Sequence, residues 1–285
     1  MRVLKVASNV RSAADASAAV QTFVDGALLP RIGGAAGAEA AQLQQVCRVA
    51  ANTLAALLGV AGGDSAAALW SGWLGTRWEA LLDGASADGA DALAALLARC
   101  AGASADARAA LLERAEPPRW PLRALFAAEP GCLPELRPGG EALLRELCGV
   151  PGGLGATLGV LGPPIEDASP SQPQRILLEW AVAENDLVAL GDALSLLPPL
   201  LGAHARRGAD DQATLQAAAL ALRLAAVVAA RDHLLVAALD HLLVGEAAAA
   251  RDALGALLRG DAPPLLPGSE DDARSVVETL SRPEP

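Results

Sequence analysis

Apolar residues recur along this chain at helical spacing. Between 38 and 60, Leu43, Val46, Cys47, Ala50, Leu54, Leu57 and Leu58 fall at i, i+3, i+4 and i+7, which lays them on one face of a long helix. Gly62-Gly63 end that run, and Asp64 or Ser65 is placed to cap the next. Residues 65–82 predict a helix with Trp70, Trp73, Leu74 and Trp78 on one side, broken by Gly84 and Gly89. Leu93, Leu96, Leu97 and Cys100 predict a helix over 90–101. Ser104 or Asp106 caps another over 105–114.

The same pattern, punctuated by Gly and Pro, covers most of the chain. Residues 12–29 predict one or two short helices ending at Pro30. A short helix is expected at 121–128, between Pro117-Pro118 and a loop holding Pro130, Pro134 and Pro138. Leu143, Leu144 and Leu147 mark a helix over 140–148. Residues 149–173 hold six Gly and five Pro and predict an internal loop or hinge. Helices are expected again at 174–184, 186–197, 210–230, 231–244 and 246–259. The acidic, Pro-rich residues 261–285 surround one short amphipathic piece and predict a fraying tail.

Helical periodicity covers most of the chain, which predicts an all-α fold. Tyr is absent and Ile scarce, which removes residue types that strands favour. Part of the Ala excess reflects a bias toward Ala, Gly, Arg and Pro that leaves Lys5 as the only lysine. Periodicity therefore carries the fold class. The expected organisation is helical repeats over 1–148, the loop or hinge over 149–173, helical repeats over 174–260, and the tail over 261–285.

Charge narrows the partners. The formal net charge is −11, and Arg206-Arg207 is the only basic doublet noted, so no nucleic-acid partner is expected. The same charge argues against an anionic membrane surface. Residues 213–230 are apolar apart from Thr214, Gln216 and Arg223. A central Arg costs roughly 2.5–3.5 kcal/mol in a membrane span, so a buried core helix is expected there instead. Cys47, Cys100, Cys132 and Cys148 form no CxxC and lie in apolar surroundings. With no signal peptide over the first residues, they point to a reducing, cytoplasmic compartment.

A repeat underlies the helices. Leu-Ala-Ala-Leu-Leu occurs at 54–58 and again at 93–97, an offset of 39 residues. Each copy is followed by Ala-Gly, then Ser-Ala, then an Ala/Leu helix. A looser third copy is Leu220–Ala230 followed by Arg231–Leu239. A period near 40 residues lies in the armadillo/HEAT range, where stacked units bury a face that one unit cannot bury alone. The stretch from Gln42 through Leu54 to Leu81-Leu82 resembles an armadillo repeat. More narrowly, Cys47–Leu82, with Trp70 midway, is similar to the N-terminal region of the ataxin-10 family. Asn52 sits earlier in its helix than the Asn that armadillo units usually carry, and the ataxin-10 C-terminal signature has no counterpart. The resemblance implies a right-handed α-solenoid that binds other proteins in the cytoplasm.

Chemistry is sparse. Gly152-Gly153-Leu154-Gly155-Ala156-Thr157 lacks the Lys of a phosphate-binding loop, and no strand precedes it for a dinucleotide fold. His204, His233 and His241 are the three histidines, with no GxSxG and no HExxH. Asp232-His233 and Asp240-His241 share a face, but eight residues give about 12 Å of rise, so paired helix-end residues are expected rather than a metal site. Asp210-Asp211, Glu184/Asp186 and Glu270-Asp271-Asp272 fall where carboxylates cap helices or lie in the tail. Trp70, Trp73 and Trp78 are either core filler or the wall of an exposed partner groove. Arg48 and Asn52, one turn apart, line the same groove or a solvated face.

The expected function is a non-catalytic protein–protein scaffold or adaptor, with no cofactor and no metal. Its candidate binding residues are Arg48, Asn52, Trp70, Trp73 and Trp78. The alternatives are a nucleotide-exchange clamp on an Hsp70-type chaperone, a helical enzyme or ligand-binding domain, and a membrane-embedded helical protein.

Overall fold

A computed structural model describes residues 12–32, 34–61, 63–113, 136–231 and 244–281. The described residues are helical, with no strand among them. The chain divides into two compact units, Met1–Leu147 and Cys148–Pro285.

In the first unit α1 (Ala13–Phe23) begins at Ser12, whose hydroxyl accepts the Asp15 N–H at 3.2 Å. A π-helical turn, Val24–Leu28, leads into α2 (Leu29–Ile32). Pro30 therefore lies inside a continuous helical run instead of ending one; the π-helical turn directly before it, with the Leu29 N–H bonded to the Val24 carbonyl, widens the ladder where the next residue cannot donate. The long α3 (Gly37–Ala61) packs most extensively on α6 (Ala87–Ala103). Val24, Cys47, Leu54, Trp73, Leu93 and Leu96 close around a residual void of only about 10 Å³. Each fully buried Leu of this kind contributes roughly 1.5–3 kcal/mol.

Residues 65–82 form three pieces, not one helix: α4 (Gly63–Gly72), a 3-10 turn at Leu74–Thr76, and α5 (Trp78–Asp83). The break is at Trp73, with φ −153° and ψ −57°. A Cβ on Gly75 would stand 3.0 Å from the Trp70 carbonyl oxygen, so the turn closes tightly over Trp70. Ser86 caps α6, and Ser104 caps α7 (Ala105–Leu112) by accepting the Ala107 N–H at 3.2 Å. α7 packs on α6 and on α4. α8 (Pro138–Cys148) closes the unit, and the helix expected at 121–128 lies outside the described residues.

The second unit contradicts the expected loop over 149–173. Within it α9 (Gly153–Leu161) buries Leu154, Leu158 and Leu161, one helix stripe. Its N-terminus has no local cap. Asp192, far along the chain, accepts the Gly152 N–H at 2.7 Å and the Leu154 N–H at 3.2 Å. α10 (Gln172–Ala183) starts with a reciprocal capping box between Ser171 and Gln174. A 3-10 turn (Asn185–Leu187) and α11 (Leu190–Ser195) follow. α12 (Leu197–Arg207) was not expected; Pro198-Pro199 sit in its first turn, where their missing N–H groups cost nothing.

The hub of this unit is α13 (Gln212–Arg231), packed by α10, α11, α12 and α15. Ala217, Ala218, Ala221 and Ala225 are fully buried and let those helices approach closely. α13 is long and apolar enough to cross a membrane, but 61% of its apolar window is buried inside the unit. The Arg231 guanidinium donates to the Asn185 and Val188 carbonyls and ties the helix end to the 3-10 turn. α14 (Val244–Leu258) packs on α11, α12 and α15. The expected fraying tail contains α15 (Ser269–Leu280), which buries Ala273 and Val276 against α13 and α14. Its Asp272 pairs with Arg223 at 3.1 Å.

Candidate functional site

The candidate site forms where α3, α6 and the start of α8 meet. Arg48 on α3 reaches Asp88 in the first turn of α6 at 3.5 Å. Asp88 also accepts Arg137, just before α8, at 2.7 Å. One turn along α6, Asp91 accepts the Gly139 N–H at 2.8 Å and the Gly140 N–H at 3.3 Å, capping α8 from another helix. A Cβ on Gly139 would stand 2.0 Å from the Asp91 carbonyl oxygen, so this approach requires glycine. The result is a furrow of about 490 Å³ floored by Ala92 and Ala95 and flanked by Arg48, Asn52, Asp88 and Pro138.

The electrostatics are mixed. Arg48 and Arg137 are 37% and 29% exposed and share Asp88, which is 61% exposed. Exposed pairs of this kind contribute roughly 0–1 kcal/mol to stability, so they are free to exchange partners. Asn52 is exposed, makes no hydrogen bond to the described residues, and offers an amide donor and an amide acceptor. Val49 beside it is also exposed.

The structure separates the five candidate residues. Arg48 and Asn52 meet in the furrow. Trp70, Trp73 and Trp78 do not: they are 7%, 5% and 7% exposed and belong to the core of the first unit. The exposed-groove alternative for the three tryptophans is thereby corrected. The physical reason is the break at Trp73, which turns the indoles inward. Trp73 Nε1 donates to Asp25 Oδ2 at 3.0 Å, and Arg77 Nε donates to Asp25 Oδ1 at 2.8 Å while its guanidinium stands 5.8 Å from the Trp73 ring centre. Asp88, Asp91 and Arg137 were not anticipated as furrow residues. The signal was present in Asp91 and Gly139-Gly140, but the pairing is too distant in sequence to read.

Cys47, Cys100 and Cys148 are buried free thiols, and burial pushes them up to about 11, 12 and 12. Cys132, His233 and His241 lie outside the described residues. His204 is fully buried on α12, and neither ring nitrogen has a partner among the described residues. Burial acts to raise Asp211. It is outweighed by the Ser169 hydroxyl at 2.6 Å, the Thr214 hydroxyl and N–H, and Arg207, which together hold the carboxyl down at about 2. Asp211 thus caps α13, as expected of that acidic pair. Among the described residues no group of three or more His, Cys, Asp or Glu side chains is placed to hold a metal ion. No family model, no curated protein and no solved structure matches the chain.

Proposed function

We propose that this chain is a non-catalytic scaffold of armadillo-like type that holds a partner protein along its helical surface in the cytoplasm. The observation that carries the reading is the furrow at the seam of α3, α6 and α8. It combines an apolar floor, weakly held ions of both signs and the unengaged amide of Asn52, a mixture suited to a polypeptide segment. The helix pairs α3–α4 and α6–α7 follow the 39-residue offset of Leu54–Leu58 and Leu93–Leu97. Their packing, α3 on α6 and α4 on α7, is what stacked two-helix units require.

The test is affinity capture of the tagged full chain from its native extract, compared with an Arg48→Glu/Asn52→Ala variant. Both residues lie at the surface, so the variant keeps its circular dichroism spectrum. A stoichiometric partner that binds the native chain and is lost from the variant is the expected result. A partner retained by the variant moves the site elsewhere, and no partner at all overturns the scaffold.

A further inference from the structure

The first unit carries a second hollow, different in character from the furrow and independent of the scaffold reading. It measures about 310 Å³ and lies between α1 on one side and α3 and α4 on the other. The α3/α4 wall is mostly apolar, with Leu57, Leu58, Leu69 and Trp73, and Ser65 is the one polar side chain among its described residues. The α1 wall is small and neutral, with Ser17 and Gln21 facing that floor. α1 buries none of its own residues, so it covers the floor without filling it.

Charge sets this hollow apart. The furrow is lined by Arg48, Asp88 and Asp91, and the hollow beside the α14–α15 loop by Arg259, Glu270 and Asp271. Among the described residues no ionisable side chain lines the α1 hollow. An ionised guest would lose water there and gain no countercharge. The polar groups present are only partly used. Gln21 Nε2 donates to Ser17 Oγ at 3.0 Å, which leaves the Ser17 hydroxyl proton and Gln21 Oε1 without partners among the described residues. The indole is fixed in place, because its Nε1–H is already given to Asp25.

We propose that this hollow binds a small neutral amphipathic molecule, an aromatic alcohol or phenol. Its ring lies on Leu57, Leu69 and Trp73, and its hydroxyl accepts from Ser17 and donates to Gln21 Oε1. A cavity of roughly 150 Å³ holds benzene, so the guest has about ten to fifteen non-hydrogen atoms, within the usual size range of ligand pockets.

The probe is 2-naphthol, titrated into the full chain and followed by calorimetry and saturation-transfer NMR. Binding is expected with a Kd at or below about 1 mM, the range open to a guest of this size. The anionic 2-naphthoate, with the same rings, binds at least tenfold more weakly. Ala68→Phe places bulk into the hollow from an exposed position of α4 and weakens 2-naphthol tenfold or more while circular dichroism stays native. Should that variant unfold, Ser17→Val on the exposed α1 removes the donor and produces a loss of several-fold. No saturation near about 1 mM, equal binding of 2-naphthoate, or undiminished binding by a folded Ala68→Phe or Ser17→Val chain overturns the assignment.

Discussion

Replacing Asp192 with Ala removes the cap of a helix that it does not belong to. The carboxylate is 7% exposed and accepts the N–H groups of Gly152 and Leu154 at 2.7 and 3.2 Å. The two donors pay differently when it goes. Gly152 is exposed and recovers a bond to water, at a net loss of about 0.5–1 kcal/mol. Leu154 is fully buried, and its orphaned N–H costs about 1–3 kcal/mol. The sum is about 1.5–4 kcal/mol, which at about 2–4 °C per kcal/mol lowers Tm by about 3–16 °C. Asp192→Asn keeps one acceptor but turns its amide donors toward a second N–H, so an intermediate loss of about 1–2 kcal/mol is expected. Urea unfolding measures the total. Native-state hydrogen exchange localises it: amides of Thr157–Leu161 lose protection while those of α12 keep theirs. A loss under about 0.5 kcal/mol, or unchanged protection in α9, refutes the account of how α9 is held.

His204→Leu removes a buried imidazole without partners and is expected to be neutral or stabilising by up to about 2 kcal/mol in urea; a loss above about 1 kcal/mol means that the ring has a role. Asp211 titrates lower folded than unfolded, so its contribution is complete above the unfolded value of about 3.9 and is lost as pH falls toward about 2; in Asp211→Asn, acid unfolding between about pH 4 and 2 becomes shallower, and an identical profile contradicts the assignment. Cys47, Cys100 and Cys148 resist alkylation at neutral pH in the native chain, because each is buried and its thiolate strongly disfavoured; rapid labelling of any of their peptides, read by mass spectrometry, contradicts their burial. Trp73→Phe keeps the ring but leaves Asp25 with one donor fewer, and costs about 1–2 kcal/mol in urea; a neutral result separates the indole N–H from the anchoring of the π-helical turn that carries Asp25.

Helices whose own residues contain the whole instruction were readable from the sequence. α3 has its apolar stripe, α7 has Ser104 as its cap, and α13 is apolar nearly all round. α9 was not readable, because its Gly-rich segment is poor in local helix signals and its cap comes from Asp192. α12 falls in the gap between the helices expected at 186–197 and 210–230, although Pro198-Pro199 in its first turn are a start signal. Residues 261–285 read as a fraying tail around one short amphipathic piece because they are acidic and Pro-rich; α15 is that piece, and Ala273 and Val276 are buried in it. At the furrow, Arg48 and Asn52 were legible as neighbours one turn apart. Asp88 and Asp91 entered through contacts with Arg48, Arg137 and Gly139, each across a long interval of chain. The tryptophans looked alike in sequence, and one break in the backbone decided their direction.

The burial of α13 also has a consequence in time. A ribosome releases α10, α11 and α12 before it, yet α15, which packs on α13 more extensively than any other described helix, emerges after it. Until residues 269–280 clear the exit tunnel, a nascent chain carries an apolar rod with one flank bare, the condition in which chaperones engage and aggregation starts. α15 therefore closes this unit during synthesis: a ribosome stalled shortly before it leaves α13 bare on one flank, and the product is sticky instead of merely shorter.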